Sequence, residues 1–325
     1  MFRFAERSFG KIVMAAAPAA VLVLTACGGG SSAKTNAASA NPAANELQAI
    51  VASFDVTAGP PRRFLIGLET GDRRLIGFGA VQVRAHPAHL SASAGAATTA
   101  TFLPIPATQV PQPLPAQPTL VDALRGRGVY AATLGFDQPG VWTAEIEADV
   151  QGLGRVHAST DFQVASAHEA IAVGERAPAS KNYTVTHHDG APLAAVDSRA
   201  QGNTPVPDPE LNRTTIAAAL AEHRPTVVVF STPVYCRSRF CGPVTDMVAG
   251  VAKEYASKAA FVHVEMFKNF ENQEVNDAAL QWLQRRDGDV HEPWVYVVGR
   301  DGAVKARFDN VATKDELTRA LDELA

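Results

Sequence analysis

Cysteine is scarce in this chain of 325 residues: it occurs at positions 27, 236 and 241 only. That leaves little room for a disulfide framework and reduces covalent cross-linking to a question about one pair. No basic run or stripe stands out among 29 Lys and Arg set against 33 Asp and Glu, for a net charge of −4. Nothing therefore suggests a nucleic-acid partner. The apolar run at 12–24 is too short for an ordinary membrane span. No phosphate loop, hydrolase elbow or dinucleotide fingerprint is present. What the chain does have is apolar content, with 46% hydrophobic and 19% charged residues, enough for two ordinary domains with buried cores.

The N-terminus reads as a targeting segment and is set aside from the fold. Arg3, Arg7 and Lys11 precede the apolar run, which ends in Leu24-Thr25-Ala26-Cys27. Small residues before a cysteine at this point resemble the lipobox of bacterial lipoproteins. The resemblance implies a signal peptide over 1–26, cleavage before Cys27 and lipid on its thiol, placing the protein in the cell envelope on the periplasmic or extracytoplasmic side. The Gly, Ser, Ala and Asn-rich stretch that follows, 27–45, reads as a flexible tether.

Residues 46–167 read as all-β. Strands are expected near 47–56, 63–68, 75–83, 128–136, 141–150 and 156–164, with turn signals at Thr70-Gly71-Asp72, Gln138-Pro139-Gly140 and Gly152-Leu153-Gly154. In 141–150, Trp142, Ala144, Ile146 and Ala148 share one face, and Thr143, Glu145 and Glu147 share the other, as in a half-buried antiparallel strand. The stretch 102–120 carries six prolines, cannot be a central strand, and is expected as an extended loop. Short strands with regular turns predict a β-sandwich. Residues 168–212 are broken by Gly and Pro and read as a linker, with its first part packed on the domain that follows.

From 213 the pattern alternates between helix and strand. A helix capped by Thr214 or Thr215 leads to the continuous apolar strand 226–230, as expected at the centre of a sheet covered on both faces. An amphipathic helix over 243–258, a strand over 261–267, a helix over 275–285 and strands at 294–298 and 304–308 follow. Thr313 and Glu316 have capping-box spacing at the start of a last helix.

Cys236 and Cys241 lie where the apolar strand hands over to a helix. Unsatisfied N–H groups and the positive end of a helix dipole favour negative charge there, which lowers a thiol pKa. Arg237 and Arg239 add positive charge to the same loop, and Pro243 is pre-set for a first helical turn. Cys241-Gly242-Pro243 resembles the first three residues of the thioredoxin active-site motif, and the order β, α, β, α, β, β, α is that of the thioredoxin fold. Val244 stands where the family has its second cysteine. The second sulfur here is Cys236, five positions upstream, so roles and potential do not carry across. Pro293, which opens the strand 294–298, resembles the cis-proline of that family, which faces the active-site cysteines.

The stretch His291-Glu292-Pro293-Trp294 through Arg300-Asp301-Gly302 also resembles the Sco family of copper-delivery proteins. That resemblance implies a Cu(I) site of Cys236, Cys241 and His291, although the Sco family places three residues between its cysteines and this chain places four. His86 with His89, and His187 with His188, are weaker metal candidates, each more simply read as solvated. Glu265 sits on the second strand without matching a family position, and Trp282 reads as core.

The expectation is thus an α+β chain of two domains, a β-sandwich at 46–167 and a thioredoxin-like domain at 213–325. The leading function is a thiol–disulfide oxidoreductase that needs no cofactor and acts on protein thiols or disulfides of the envelope, with Cys241 as the attacking thiolate, Cys236 resolving and Pro293 shaping the groove. The alternatives are a Cu(I)-binding assembly factor and an anchored interaction protein whose disulfide is only structural.

Overall fold

The computed structural model describes residues 46–90, 95–122, 126–202 and 204–324. The expected signal peptide, the lipid-bearing Cys27 and the tether lie outside the described residues. The fold is mixed α/β and rich in strand, with several sheets and few helices. Among the described residues no helix is long and apolar enough to cross a membrane.

The first part is a nine-stranded antiparallel sheet among the described residues: β1 (Leu47–Val51), β2 (Gly59–Thr70), β3 (Leu75–Gly77), β4 (Ala80–Pro87), β5 (Ala97–Pro104), β6 (Thr119–Val121), β7 (Gly128–Phe136), β8 (Gly140–Val150) and β9 (Gly154–Val164). Its order is β6-β3-β2-β7-β5-β4-β8-β9, with β1 paired to β2. Period-two alternation sets the faces. In β8, Trp142, Ala144, Ile146, Ala148 and Val150 are buried between more exposed neighbours. The tight turn into β9 runs through Gly152 and Gly154, both at positive φ, which glycine adopts without steric cost. The sheet curls back on itself: Ala165, just past β9, exchanges backbone hydrogen bonds with Val56 and Ala58. Inward residues of β2, β4, β7 and β8 consequently share one core, an arrangement compatible with a sandwich.

Two local expectations give way. The run 75–83 is not one strand, because Phe78 and Gly79 both take positive φ and separate β3 from β4. A Cβ on Gly79 would lie 2.6 Å from the backbone of Gln117 and Pro118, so only glycine fits that turn. The proline-rich stretch 102–120 begins inside a strand: Phe102, Leu103 and Pro104 end β5 and pair with β7.

The second sheet has the order β11-β10-β14-β15, from β10 (Thr226–Ser231), β11 (Ala260–Glu265), β14 (Trp294–Val298) and β15 (Val304–Asp309). β10 runs parallel to β11 and antiparallel to β14. A small hairpin, β12 (Phe267–Asn269) and β13 (Glu274–Val275), stands apart. Every residue of β10 is buried, and alternate residues serve opposite faces. Val228 and Phe230 pack with α1 (Ile216–Ala221) and α3 (Asp277–Leu283) around Trp282. Val227 and Val229 pack with α2 (Cys241–Tyr255) and α4 (Lys314–Asp322). A strand buried on both sides has no use for polar alternation, which is why Val-Val-Val-Phe stands there. Thr313 and Glu316 close the expected capping box at α4.

The described residues fall in one compact unit. Leu65, on the outer face of β2, joins Ile105, Val129 and Val311 in a cluster against which Phe240 of the cysteine loop also packs. Polar ties surround it. Arg63 reaches Glu316 and the Val311 carbonyl, Asn310 donates to the Ala52 carbonyl, and Asp55 holds Arg307 at 2.8 Å and His168 at 3.0 Å. The segment expected as a linker is packed: Ala170 and Ala177 enter the core around Trp282, and Asp197, Ser198 and Asn212 are fully buried.

Candidate functional site

The site begins where β10 ends. Residues 232–240 leave the sheet and turn into α2, and the turn is braced from both sides. Ser198, from the segment preceding the α/β part, accepts the Val234 N–H at 3.1 Å. The Cys236 N–H returns to the Thr232 carbonyl at 3.1 Å. Cys236 and Cys241 form a disulfide with their Cα atoms 6.0 Å apart, inside the span such a bond needs.

The N-cap residue of α2, Phe240, has no polar side chain to cap with, and Pro243 has no N–H to satisfy. The Cys236 sulfur takes up the role, accepting the Cys241 N–H at 3.4 Å, with the Ser238 hydroxyl 3.2 Å away. Negative charge on Cys236 would therefore meet a helix N-terminus and a hydroxyl donor. Both cysteines are buried, Cys236 with 8% of the residue exposed and Cys241 with none. Arg237 and Arg239 stand exposed on the loop, and Val234 is exposed beside them.

Two carboxyl groups face this region from below. Glu265 ends β11, is 1% exposed and accepts the Ser198 N–H through Oε2 at 2.7 Å, while its Oε1 is buried without a partner. Burial pushes its carboxyl up to about 7, against the pull of the hydrogen bonds from Thr232 and Ser198. Glu292 precedes Pro293 across a cis peptide bond, and its Oε2 is likewise buried and unpartnered. Burial first, and the neighbouring Glu265 second, push Glu292 up to about 8. A carboxylate oxygen of Glu292 and the sulfurs of Cys236 and Cys241 all lie within 4.8 Å of one another.

His291 is not part of that group. Its ring stands edge-on to Phe54 at 5.0 Å, its Nε2 is 3.5 Å from Asp289, and its Nδ1 is buried without a partner. The donors gathered at the sulfurs are thus two cysteines and a glutamate rather than two cysteines and a histidine. His86 is buried against the Pro87 carbonyl, His89 and His187 are exposed, and His188 bonds the Ala191 carbonyl. Val244 fills core beneath α2, and Trp282 is buried with its Nε1 donating to Ser180.

Beneath the loop lies a polar chain that the sequence did not signal. Thr245 donates to the Cys241 carbonyl at 2.8 Å and meets Ser231 Oγ at 2.7 Å. Ser231 Oγ meets His263 Nε2 at 3.1 Å, and His263 Nδ1 lies 3.3 Å from Asn212 Oδ1 and 3.7 Å from Asp197. The order serine, histidine, aspartate invites comparison with a hydrolase relay, but Ser231, His263 and Asp197 have no exposed surface. The chain anchors the first turn of α2 to the sheet, since buried polar groups are stable when each finds a partner. Burial holds the His263 imidazole below its ordinary value, with Asp197 pulling the other way.

No family model and no curated protein matches the chain. A solved structure titled as the crystal structure of BslA, a bacterial hydrophobin, is similar at 18% identity over 38% of this chain and 94% of that one, with a TM-score of 0.21. A likeness at that level carries no argument about fold or function.

Proposed function

We propose that this chain is an exported thiol–disulfide exchange protein of the cell envelope, thioredoxin-like in its C-terminal part, working through Cys236 and Cys241. The sheet order, with one parallel and two antiparallel neighbours and helices on both faces, supports the thioredoxin-like reading. The observation that carries the chemistry is the Cys236 sulfur seated as acceptor at the uncapped N-terminus of α2. Such a sulfur is a good leaving group from a mixed disulfide with a partner and a good nucleophile when reduced.

We assign the roles the other way round from the motif. Cys236, the less buried of the two residues, meets the partner, and the fully buried Cys241 resolves. In the oxidising direction, a partner thiolate attacks Cys236 Sγ, a partner–Cys236 disulfide forms, and the Cys236–Cys241 bond breaks with its electron pair going to Cys241. A second partner thiolate then attacks the partner sulfur and expels Cys236 as thiolate, leaving the partner oxidised and the pair reduced. Pro293 borders the site through Glu292. The export and lipid anchor at Cys27 follow from the lipobox resemblance alone, and the partners are envelope proteins with thiols or disulfides.

Trapping tests the assignment. C241S protein should accumulate a mixed disulfide with glutathione at Cys236, and C236S protein should not. Trapping by C236S and not by C241S would reverse the roles, and equal trapping by both would remove the distinction between them. A Cu(I) site of Cys236, Cys241 and His291 would require the histidine to leave its Phe54 contact.

A further inference from the structure

We infer that reduction of the disulfide converts this site into a three-ligand Zn(II) site made of Cys236, Cys241 and Glu292, which the disulfide closes again on oxidation. The inference rests on the proposal above that the pair is reducible, and it adds a ligand and a regulatory state to it.

Geometry supplies the first argument. The two sulfurs and a Glu292 oxygen lie mutually within 4.8 Å. Tetrahedral zinc, with Zn–S near ~2.3 Å and Zn–O near ~2.0 Å, sets its ligand atoms roughly 3.5–4 Å apart. Breaking the sulfur–sulfur bond frees the sulfurs to part toward that spacing.

The second argument is an unmet bond. The Thr232 backbone serves the Glu292 carboxyl and Ser198 the Glu265 carboxyl, but Glu292 Oε2 and Glu265 Oε1 are buried without a partner. A buried acceptor left unpaired is costly. A cation at the sulfurs would lie within reach of the Glu292 carboxyl group. Arg237 and Arg239, the basic residues of the loop, stand exposed.

Donor chemistry selects the metal. Two thiolates alone, or with an imidazole, suit Cu(I), whereas adding a hard carboxylate favours a borderline divalent ion. Two thiolates and a carboxylate also carry three negative charges, which Zn(II) offsets better than a monovalent ion. Three protein ligands leave a fourth position for water, the pattern of exchangeable rather than closed structural sites.

The reaction balances as follows. A phosphine reductant gives two electrons to the disulfide and takes an oxygen from water, leaving two thiols and a phosphine oxide. Zn(II) then displaces the two thiol protons, and the carboxyl proton where one is held, and binds both sulfurs and the carboxylate. Because zinc binds only the reduced form, it makes the disulfide easier to reduce. Free zinc at a hundred times its dissociation constant should raise the midpoint potential by about 59 mV.

The experiment uses the whole chain under argon, with and without tris(2-carboxyethyl)phosphine. Titratable thiols are counted first. Zinc chloride is then added in competition with a chromophoric chelator, and Co(II) is substituted to read thiolate-to-metal absorption. The expected result is a gain of two thiols, one Zn(II) per reduced chain, and no matching site in the oxidised chain. Glu292→Gln should weaken zinc binding by more than about tenfold with the thiol count unchanged, and His291→Ala should leave it unchanged. Equal affinity in Glu292→Gln, or loss of binding in His291→Ala, would overturn the inference while leaving thiol exchange intact. A pair that gains no thiols under native conditions would overturn both proposals together.

Discussion

Removing Arg63 should cost the protein more than a surface ion pair and less than a fully buried one. Its guanidinium, on β2, bonds Glu316 at 2.9 Å, the Val311 carbonyl at 2.5 Å and the Asp309 carbonyl at 3.2 Å, and it meets the Asp309 carboxylate at 3.4 Å. Exposed pairs contribute up to about 1 kcal/mol, and breaking a buried pair costs about 3–5 kcal/mol. The side chains of Arg63, Asp309 and Glu316 are 19%, 13% and 21% exposed, which places the pairs between these limits. Arg63→Ala should therefore destabilise by about 2–3 kcal/mol in urea unfolding at pH 7. Burial already raises the Asp309 carboxyl, and Arg63 opposes the rise. Without the arginine the carboxyl sits higher still, so the folded variant holds a proton that the unfolded chain gives up. The variant's deficit should then grow as the pH rises through that raised value and shrink in acid. A deficit under about 0.5 kcal/mol at both pH 7 and pH 4 would refute the view that the strand-rich and α/β parts are held together here.

Other consequences are as direct. Trp282 packs on Phe230 and Tyr296 at ring distances of 5.3 and 5.0 Å and is 1% exposed, so Trp282→Ala should cost about 3–5 kcal/mol by chemical denaturation. Burial alone would raise Asp55, but the His168 hydrogen bond and the charges of Arg307 and His168 outweigh it and hold the carboxyl below its ordinary value. A depressed carboxyl stabilises the fold above the ordinary carboxylate range and loses that contribution as the pH falls through its folded value. Asp55→Asn should thus be less stable than the natural chain at pH 7, with the gap closing in acid. A gap that stays constant from pH 7 to pH 3 would remove Asp55 from the contact.

Much of the α/β part was legible because its signals are local. The unbroken apolar run of β10, the Thr313–Glu316 spacing and the Trp294–Val298 strand each declare themselves within a few residues. The alternation of β8 did the same. What stayed hidden depends on distance. Ala97-Thr98-Thr99-Ala100 of β5 is small and polar, and it becomes a strand because β4 and β7 pair with it on either side. The stretch around Asp197 and Ser198 has no periodicity, yet Ser198 braces both Glu265 and the cysteine loop, 67 and 36 positions away. Glu292 was visible between His291 and Pro293, but nothing local says which of the two neighbouring side chains turns toward the sulfurs. α2 starts at Cys241 and not at Pro243, because a sulfur from the preceding loop supplies the missing cap.

The central claim is that the Cys236–Cys241 bond is there to be exchanged. Equilibrating the whole chain in glutathione redox buffers and reading the thiols of that pair gives its midpoint potential. Exchange predicts a value in the range of dithiol oxidoreductases, about −270 to −120 mV. A value below about −300 mV, or a pair that no buffer reduces while the fold is intact, would contradict it and leave the bond a structural one.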